Sequence, residues 1–152
     1  MKNFKRTTTK HLGELLVERG IIDREQVAMA MAYQNEKGGL FGEILVELKF
    51  ATEEDIAQAL TCQYGFPYLP LSNYEIEQEV ISSVPENVCR QFCLIPIDKI
   101  GKSLTLAMAN PLNVNAVEDV ELITGCAAQT FVSTSSDIRE AIDKYYVKKP
   151  PS

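Results

Sequence analysis

Apolar residues in the first third of the chain recur at helical spacing, and they do so twice. Leu12, Leu15 and Leu16 form one stripe and Val27 and Met31 a second. Phe41, Ile44 and Leu45, then Ile56 and Leu60, repeat the arrangement 29 residues later. Three- and four-residue steps place such side chains on one face of a helix. The wording repeats as well: "HLGELLVERGIID" (His11–Asp23) returns as "LFGEILVELKFAT" (Leu40–Thr52). Between His11–Gln34 and Leu40–Gln63, nine of 24 paired positions are identical, which marks an internal repeat of helix–turn–helix size. Asp23 and Thr52 are placed as N-caps, with Glu25 and Glu54 in the first turns that follow. Thr52 and Asp55 have capping-box spacing. Gly20 is placed to close the first helix in left-handed geometry, where the second copy has Lys49. The pattern predicts four short helices in two hairpins, joined by "NEKGG".

The period changes after residue 65. "YGFPYLPLS" carries two prolines and reads as an extended crossing segment. Val80–Val84 is a brief helical run, and "PENVCRQF" starts another behind Pro85. Leu94–Ile97 and Ser103–Met108 alternate as strands around a turn near Ile100-Gly101-Lys102. Asn110-Pro111 ends the hairpin. Asn113–Thr124 is helical and closed by Gly125, "AAQTFVST" is a strand, and "SSDIREAIDKYY" is a helix capped by Ser135 or Ser136. The expected class is α+β: an N-terminal four-helix tandem-hairpin subdomain, then a small antiparallel-rich sheet with packed helices. The expected divisions are a flexible arm over 1–9, the helical repeat over 10–65, the α+β part over 66–146, and a flexible tail over 147–152.

Composition narrows the functions. The 152 residues are 45% apolar and 24% charged, ordinary for a globular chain. A net charge of −6 excludes a nucleic-acid backbone as partner but leaves room for a small anion held by local donors. "MKNFKRTTTK" is basic without an apolar region behind it, so it is no signal peptide, and no apolar run reaches membrane length. A cytoplasmic location is expected, without membrane insertion. Cys62, Cys89, Cys93 and Cys126 lack metal-ligand spacing and read as small buried hydrophobes in a reducing compartment. No metal or required cofactor is expected.

Catalytic signals are missing. "GKS" at Gly101–Ser103 needs a glycine five residues earlier to form a phosphate loop, and Pro96 stands there. His11 is the one histidine, and nothing marks a nucleophile for it. Glu14/Glu18 and Glu43/Glu47 read as solvated pairs at i, i+4. No enzyme is indicated.

The repeat carries the remaining chemistry. Each copy opens on an apolar residue and a glycine (Leu12-Gly13, Phe41-Gly42) and closes on a glutamine (Gln34, Gln63). Glycine in a first helical turn lets an anion approach free N–H groups, and a glutamine can pair with a nucleobase edge. Leu16 and Leu45 would give flat bases an apolar surface. Two such units suit a two-fold ligand with two phosphates and two bases. The competing reading makes the glycines packing devices and the glutamines caps.

The phrase LGELLVERGII…Q, repeated as FGEILVELKFA…Q, resembles the tandem motif of the MshEN family, the N-terminal domain of type II secretion and type IV pilus assembly ATPases. "VPENVCRQFCLIPIDKIGKSLTLAMANPLNVNAVEDVELITG" and "SSDIREAIDKYY" resemble the rest of that domain, so the likeness runs over Lys10–Tyr146. It implies a non-enzymatic regulatory or docking domain, here without the ATPase domain and acting in trans. The implied partner is a secretion or pilus platform protein or a partner ATPase, which would bring the chain to the inner membrane. One branch of the family binds cyclic di-GMP. Carried over by motif, its ligand set here is His11, Leu12, Gly13, Leu16, Gln34, Leu40, Phe41, Gly42, Leu45, Gln63 and Asn110. That branch opens each motif with arginine, where this chain has His11 and Leu40, and its "ADP" turn is Ala109-Asn110-Pro111 here. Each lost charge-assisted contact is worth roughly 1.5–3 kcal/mol, so two cost about 10²-fold or more in affinity. Lys10, Lys49 and Arg90 are the candidate replacements. Three functions therefore stand: protein docking, a cyclic di-GMP sensor with a degenerate motif, and a structural oligomerisation module hinged at "YGFPYLPL".

Overall fold

The computed structural model describes residues 12–146; the expected arm, His11 and the expected tail lie outside the described residues. Helix α1 covers residues 12–18. It is followed by α2 (Arg24–Lys37), α3 (Phe41–Glu47) and α4 (Glu53–Tyr64). The caps form where local chemistry puts them. Asp23 and Thr52 each accept the N–H of the third helical residue, and Gln26 and Asp55 reach back to the cap N–H, giving two capping boxes. The linker is shorter than "NEKGG": α2 continues through Lys37, and Gly38 and Gly39 make the turn with positive φ.

The two copies end their first helices with the same hydrogen bonds. Gly20 N–H donates to Val17 and Ile21 N–H to Leu16; Lys49 N–H donates to Val46 and Phe50 N–H to Leu45. This is the Schellman closure, and it needs a left-handed residue. Gly20 has φ 75° and Lys49 φ 64°. The altered copy keeps the cap and bears the strain of a Cβ there.

The two second helices differ. Helix α4 buries Ile56, Ala57, Ala59 and Leu60. At the paired positions of α2 only Ala30 is buried, and Met31, expected on a core stripe, is 42% exposed. The cause is tertiary: α4 packs against a strand of the sheet.

Beyond Tyr64 the chain runs extended, with Val132 N–H donating to Pro67 and Leu69 N–H to Val132, each at 2.8 Å. A short 3-10 turn (Leu71–Asn73), α5 (Gln78–Ile81) and α6 (Glu86–Phe92) follow. Helix α5 begins two residues before the expected run and stops at Ile81. Strand β1 (Leu94–Ile100) extends past Ile97 to the turn, pairing antiparallel with β2 (Ser103–Met108) through an irregularity between Pro96 and Asp98. Pro96 has no N–H to give the ladder, which suits a bulge. After α7 (Val114–Thr124), β3 (Ala127–Val132) pairs with β2 in parallel. The sheet is thus mixed, in order β1-β2-β3, and the class is α+β. Helix α7 makes the crossover that a parallel pair requires. Helix α8 (Ser135–Tyr145) is capped by Thr134, not by Ser135 or Ser136: its Oγ1 accepts the Asp137 N–H at 3.3 Å.

Buried apolar residues gather in two clusters. One joins the sheet with α5–α8; the other joins α1–α4 and takes Val132 from β3. Cys89 and Cys93 are wholly buried and Cys126 nearly so, while Cys62 is exposed, contrary to the uniform expectation. Burial pushes the Cys89 thiol up to about 11 and the Cys93 thiol up to about 12. No helix among the described residues is long and apolar enough to cross a membrane.

Candidate functional site

A cavity of about 420 Å³ lies where the starts of α1 and α3 face the end of β2, the start of α7 and the β3–α8 junction. The repeat contributes an apolar wall that includes Leu12, Leu40, Phe41 and Ile56. Opposite stands a polar wall from the second half, with Asn110, Asn113, Asn115, Asp119 and Ser133.

Each wall has a local cause. Leu12 and Phe41 open their copies and interlock: a Cβ on Gly13 would sit 3.5 Å from the Phe41 ring, and one on Gly42 3.5 Å from Leu12 Cδ2. Each leading apolar side chain therefore lies over the other copy's glycine. Asn110 Oδ1 accepts the Leu112 N–H at 3.1 Å, and Asn113 Oδ1 accepts the Ala116 N–H at 3.2 Å as the N-cap of α7. Asn115 Nδ2 is buried without a hydrogen-bond partner. Ser133, buried, donates Oγ to the Leu69 carbonyl at 2.6 Å.

Of the residues singled out from sequence, Leu12, Gln34, Leu40, Phe41, Gly42 and Asn110 line this cavity. Gly13 supports the Phe41 ring behind it. Leu16 and Leu45 are fully buried in the helical core. Gln63 is exposed near the end of α4 and away from the cavity. Gln34 donates Nε2 to the Gly39 carbonyl at 3.0 Å, so it holds the linker between the copies. The wall from the second half was missed apart from Asn110. Its signal, three asparagines in "NPLNVN", reads as turn and cap chemistry, which two of them do perform.

The charged residues lining the cavity are carboxylates, one of which is paired with an arginine beside it. Glu43, Glu53 and Asp119 line it, and no lysine or arginine does so among the described residues. The candidate replacements for arginine are placed elsewhere. Lys49 closes the far end of α3. Arg90 is paired with Glu86 at 2.7 Å and Asp143 at 2.9 Å. Lys10 lies outside the described residues.

Glu43 and Glu47 are not a solvated pair. Arg139 of α8 meets Glu43 with Nη2 at 2.7 Å and Nε at 3.0 Å, and its Nη1 donates to the Arg90 carbonyl. Glu47 accepts from the Tyr33 hydroxyl at 2.6 Å, and that bond holds the Tyr33 phenol above its ordinary range. Glu53 accepts the Ser136 N–H at 2.8 Å and the Ser136 hydroxyl. Two carboxylates of the repeat therefore fasten α8 across the rim of the cavity. Among the described residues no group of three or more His, Cys, Asp or Glu is placed to hold a metal ion.

The comparisons agree with this architecture. The family model for the MshEN domain matches residues 64–151. The type IV pilus assembly ATPase PilB of Myxococcus xanthus is 36% identical over 141 residues, which is 93% of this chain and 25% of PilB. PilB of Thermus thermophilus is 30% identical over 151 residues, 94% of this chain and 17% of its own length. The chain thus spans a quarter or less of these relatives. Among solved structures, MshE with cdg (cyclic di-GMP) superposes with a TM-score of 0.66 at 26% identity, covering 89% of this chain and 98% of that one. The N-terminal domain of XpsE has the same fold, with a TM-score of 0.72 at 23% identity over 95% of this chain and 97% of its own. The family match begins at the end of α4, so the tandem repeat enters through the longer PilB and MshE likenesses. By that match over more than half its length, with a non-catalytic domain as the matched unit, this chain belongs to the MshEN domain family.

Proposed function

We propose that the chain is a regulatory docking domain of a type IV pilus or type II secretion machine. It binds a protein partner at the cytoplasmic face of the inner membrane, either the platform protein or an assembly ATPase. The observation that carries the reading is the cavity's charge: three carboxylates, of which Glu43 alone is paired with an arginine, and no lining cation among the described residues, at the place where the repeat meets the Asn110 turn. A ligand with two phosphates needs cations, and the net charge of −6 supplies no general attraction for it.

A second reading, a cyclic di-GMP sensor, draws on two observations. MshE is solved with that ligand, and six of the eleven residues carried over by motif share one cavity. Calorimetric titration with cyclic di-GMP, with GTP and ATP as controls, separates the two. It is run beside affinity capture of the platform protein's cytoplasmic fragment and of a full-length assembly ATPase. Docking predicts capture of one protein and no nucleotide heat. Saturable heat from cyclic di-GMP alone, with neither protein captured, overturns it.

A further inference from the structure

The end of the sheet away from the cavity carries an apolar tip that the core does not use. Among the described residues, the two most exposed large aliphatic side chains are Leu122 at 83% and Ile100 at 74%, and Ile123 is half exposed. Ile100 ends β1 and pairs with Ser103, and Ser103 pairs with Ala127. The Ala127 N–H donates to the Lys102 carbonyl at 2.8 Å. Leu122 and Ile123 stand in the last turn of α7, which Gly125 closes just before Ala127. The hairpin turn and the end of α7 therefore meet at one end of the sheet, while the cavity borders the other ends of β2 and α7. A single exposed aliphatic residue needs no account, but three gathered at one end do. Two lysines frame the turn: Lys99 and Lys102 are exposed, and neither is in an ion pair among the described residues. The nearby carboxylates are engaged or set back. Asp98 accepts the Lys99 N–H and Glu121 the Ala128 N–H, each at 2.9 Å. Glu118 and Asp119 lie one turn back from Leu122 and Ile123.

We infer that this tip rests on an anionic lipid surface, with Ile100, Leu122 and Ile123 entering the bilayer interface and Lys99 and Lys102 at the headgroup phosphates. The contact is peripheral and needs no membrane span. It stands apart from the docking reading, because it uses the opposite end of β2 and α7. The side chains project from a turn and a helix end, and a fluid bilayer receives projecting side chains without a matching shape. Lysine beside aliphatic residues suits that boundary: its stem stays with the apolar layer while the ammonium reaches the phosphates. The net charge of −6 is no obstacle, since salt screens charges more than about 8 Å away and the tip's own lysines are what the surface meets. Three aliphatic side chains and two lysines give a weak, reversible contact.

The test is co-sedimentation of the full chain with phosphatidylcholine vesicles, with and without one-quarter phosphatidylglycerol. The parent should pellet with the anionic vesicles, far less with the neutral ones, and be released by high salt. Lys99→Gln with Lys102→Gln should weaken partition about 25-fold, roughly fivefold per lysine. Leu122→Ser with Ile123→Ser should weaken it about tenfold or more. Lys37→Gln, which removes an exposed lysine of the helical repeat, should change nothing. The tip variants should keep the parent's Tm, because the side chains they alter are exposed. No pelleting of the parent with anionic vesicles, or tip variants that pellet as the parent does, overturns the inference. So does a loss from Lys37→Gln equal to that of the lysine pair. Sedimentation velocity without lipid examines the other occupants: a parent dimer that Leu122→Ser with Ile123→Ser dissolves would assign the tip to a second copy and overturn lipid contact. Loss of a captured machine protein in the tip variants, without vesicle binding, would assign it to a protein and overturn it too. Vesicle binding as expected while neither machine protein is captured would leave the lipid contact standing and fail the docking reading alone.

Discussion

Lys49→Gly tests the reading of the repeat most directly. Lys49 holds φ 64° because the Schellman closure of α3 demands it, and its counterpart Gly20 holds φ 75°. A left-handed residue with a Cβ costs roughly 1–2 kcal/mol. Glycine returns about 0.5–1 kcal/mol of that through the greater freedom of the unfolded chain. Lys49 is exposed and no contact of its side chain is lost, so the net gain should be about 0.5–1 kcal/mol. For a domain of this size that is a rise in Tm of about 2–4 °C per kcal/mol. The reverse change, Gly20→Lys, should lower stability by a similar amount, since nothing lies within 4 Å of a Cβ there and the cost is conformational alone. The assay is urea and thermal unfolding of the two single variants and the double variant. The sites share no contact, so the double variant should return close to the parent. A Lys49→Gly variant no more stable than the parent would refute the equivalence of the two closures.

Three further outcomes follow from the geometry. Gly13→Ala and Gly42→Ala should keep or raise Tm, because each new Cβ meets neighbours at an ordinary 3.5 Å and alanine favours the helix by up to about 1 kcal/mol; a fall of several degrees would show that close helix approach needs the glycines. Glu43→Gln should cost about 1 kcal/mol in urea unfolding, since the pair with Arg139 is about a third exposed, and an unchanged midpoint would make that contact idle. Alkali should destabilise the fold: Cys89 and Cys93 stay protonated when folded, up to about 11 and about 12, while an unfolded thiol ionises near ~8.5. The unfolded state then binds fewer protons, so this stability is complete below about pH 8.5 and falls above it by about 1.4 kcal/mol per pH unit for each thiol. Urea midpoints at pH 7.5, 9 and 10 check the slope, and Cys89→Ala should reduce it; equal slopes would mean the thiol titrates alike in both states.

What was legible in the sequence is what short-range chemistry decides. The caps at Asp23 and Thr52, the box of Thr52 with Asp55, the glycine closures at Gly20 and Gly125, and strand β2 involve partners a few residues apart. What was not legible depends on distant partners. Three hydroxyls in a row, Thr134, Ser135 and Ser136, cap equally well in isolation; the end of β3 at Val132 sets the phase and selects Thr134. Glu43 looks like any surface glutamate until Arg139, 96 residues away, is brought to it. The parallel direction of β3 cannot be read from "AAQTFV" itself, because it follows from the helix that carries the chain back.

The same distinction bears on the ligand. The sequence presents two matching copies and so suggests a site with two matching halves. In the fold the copies match only locally, in their caps and in the interlock of Leu12 and Phe41 with the opposing glycines. Their second helices part company, since α4 is spent on the sheet and α2 is left mostly exposed. Gln34 consequently reaches the cavity and Gln63 does not. The wall facing the repeat comes from Asn110, Asn113, Asn115 and Asp119, which belong to neither copy. A ligand with two-fold symmetry would meet leucine and phenylalanine on one side and carboxamides with a carboxylate on the other. A peptide is itself asymmetric, with a polar backbone edge and a side chain of mixed character. The asymmetry of the cavity, together with its charge, is the support for the docking reading proposed above.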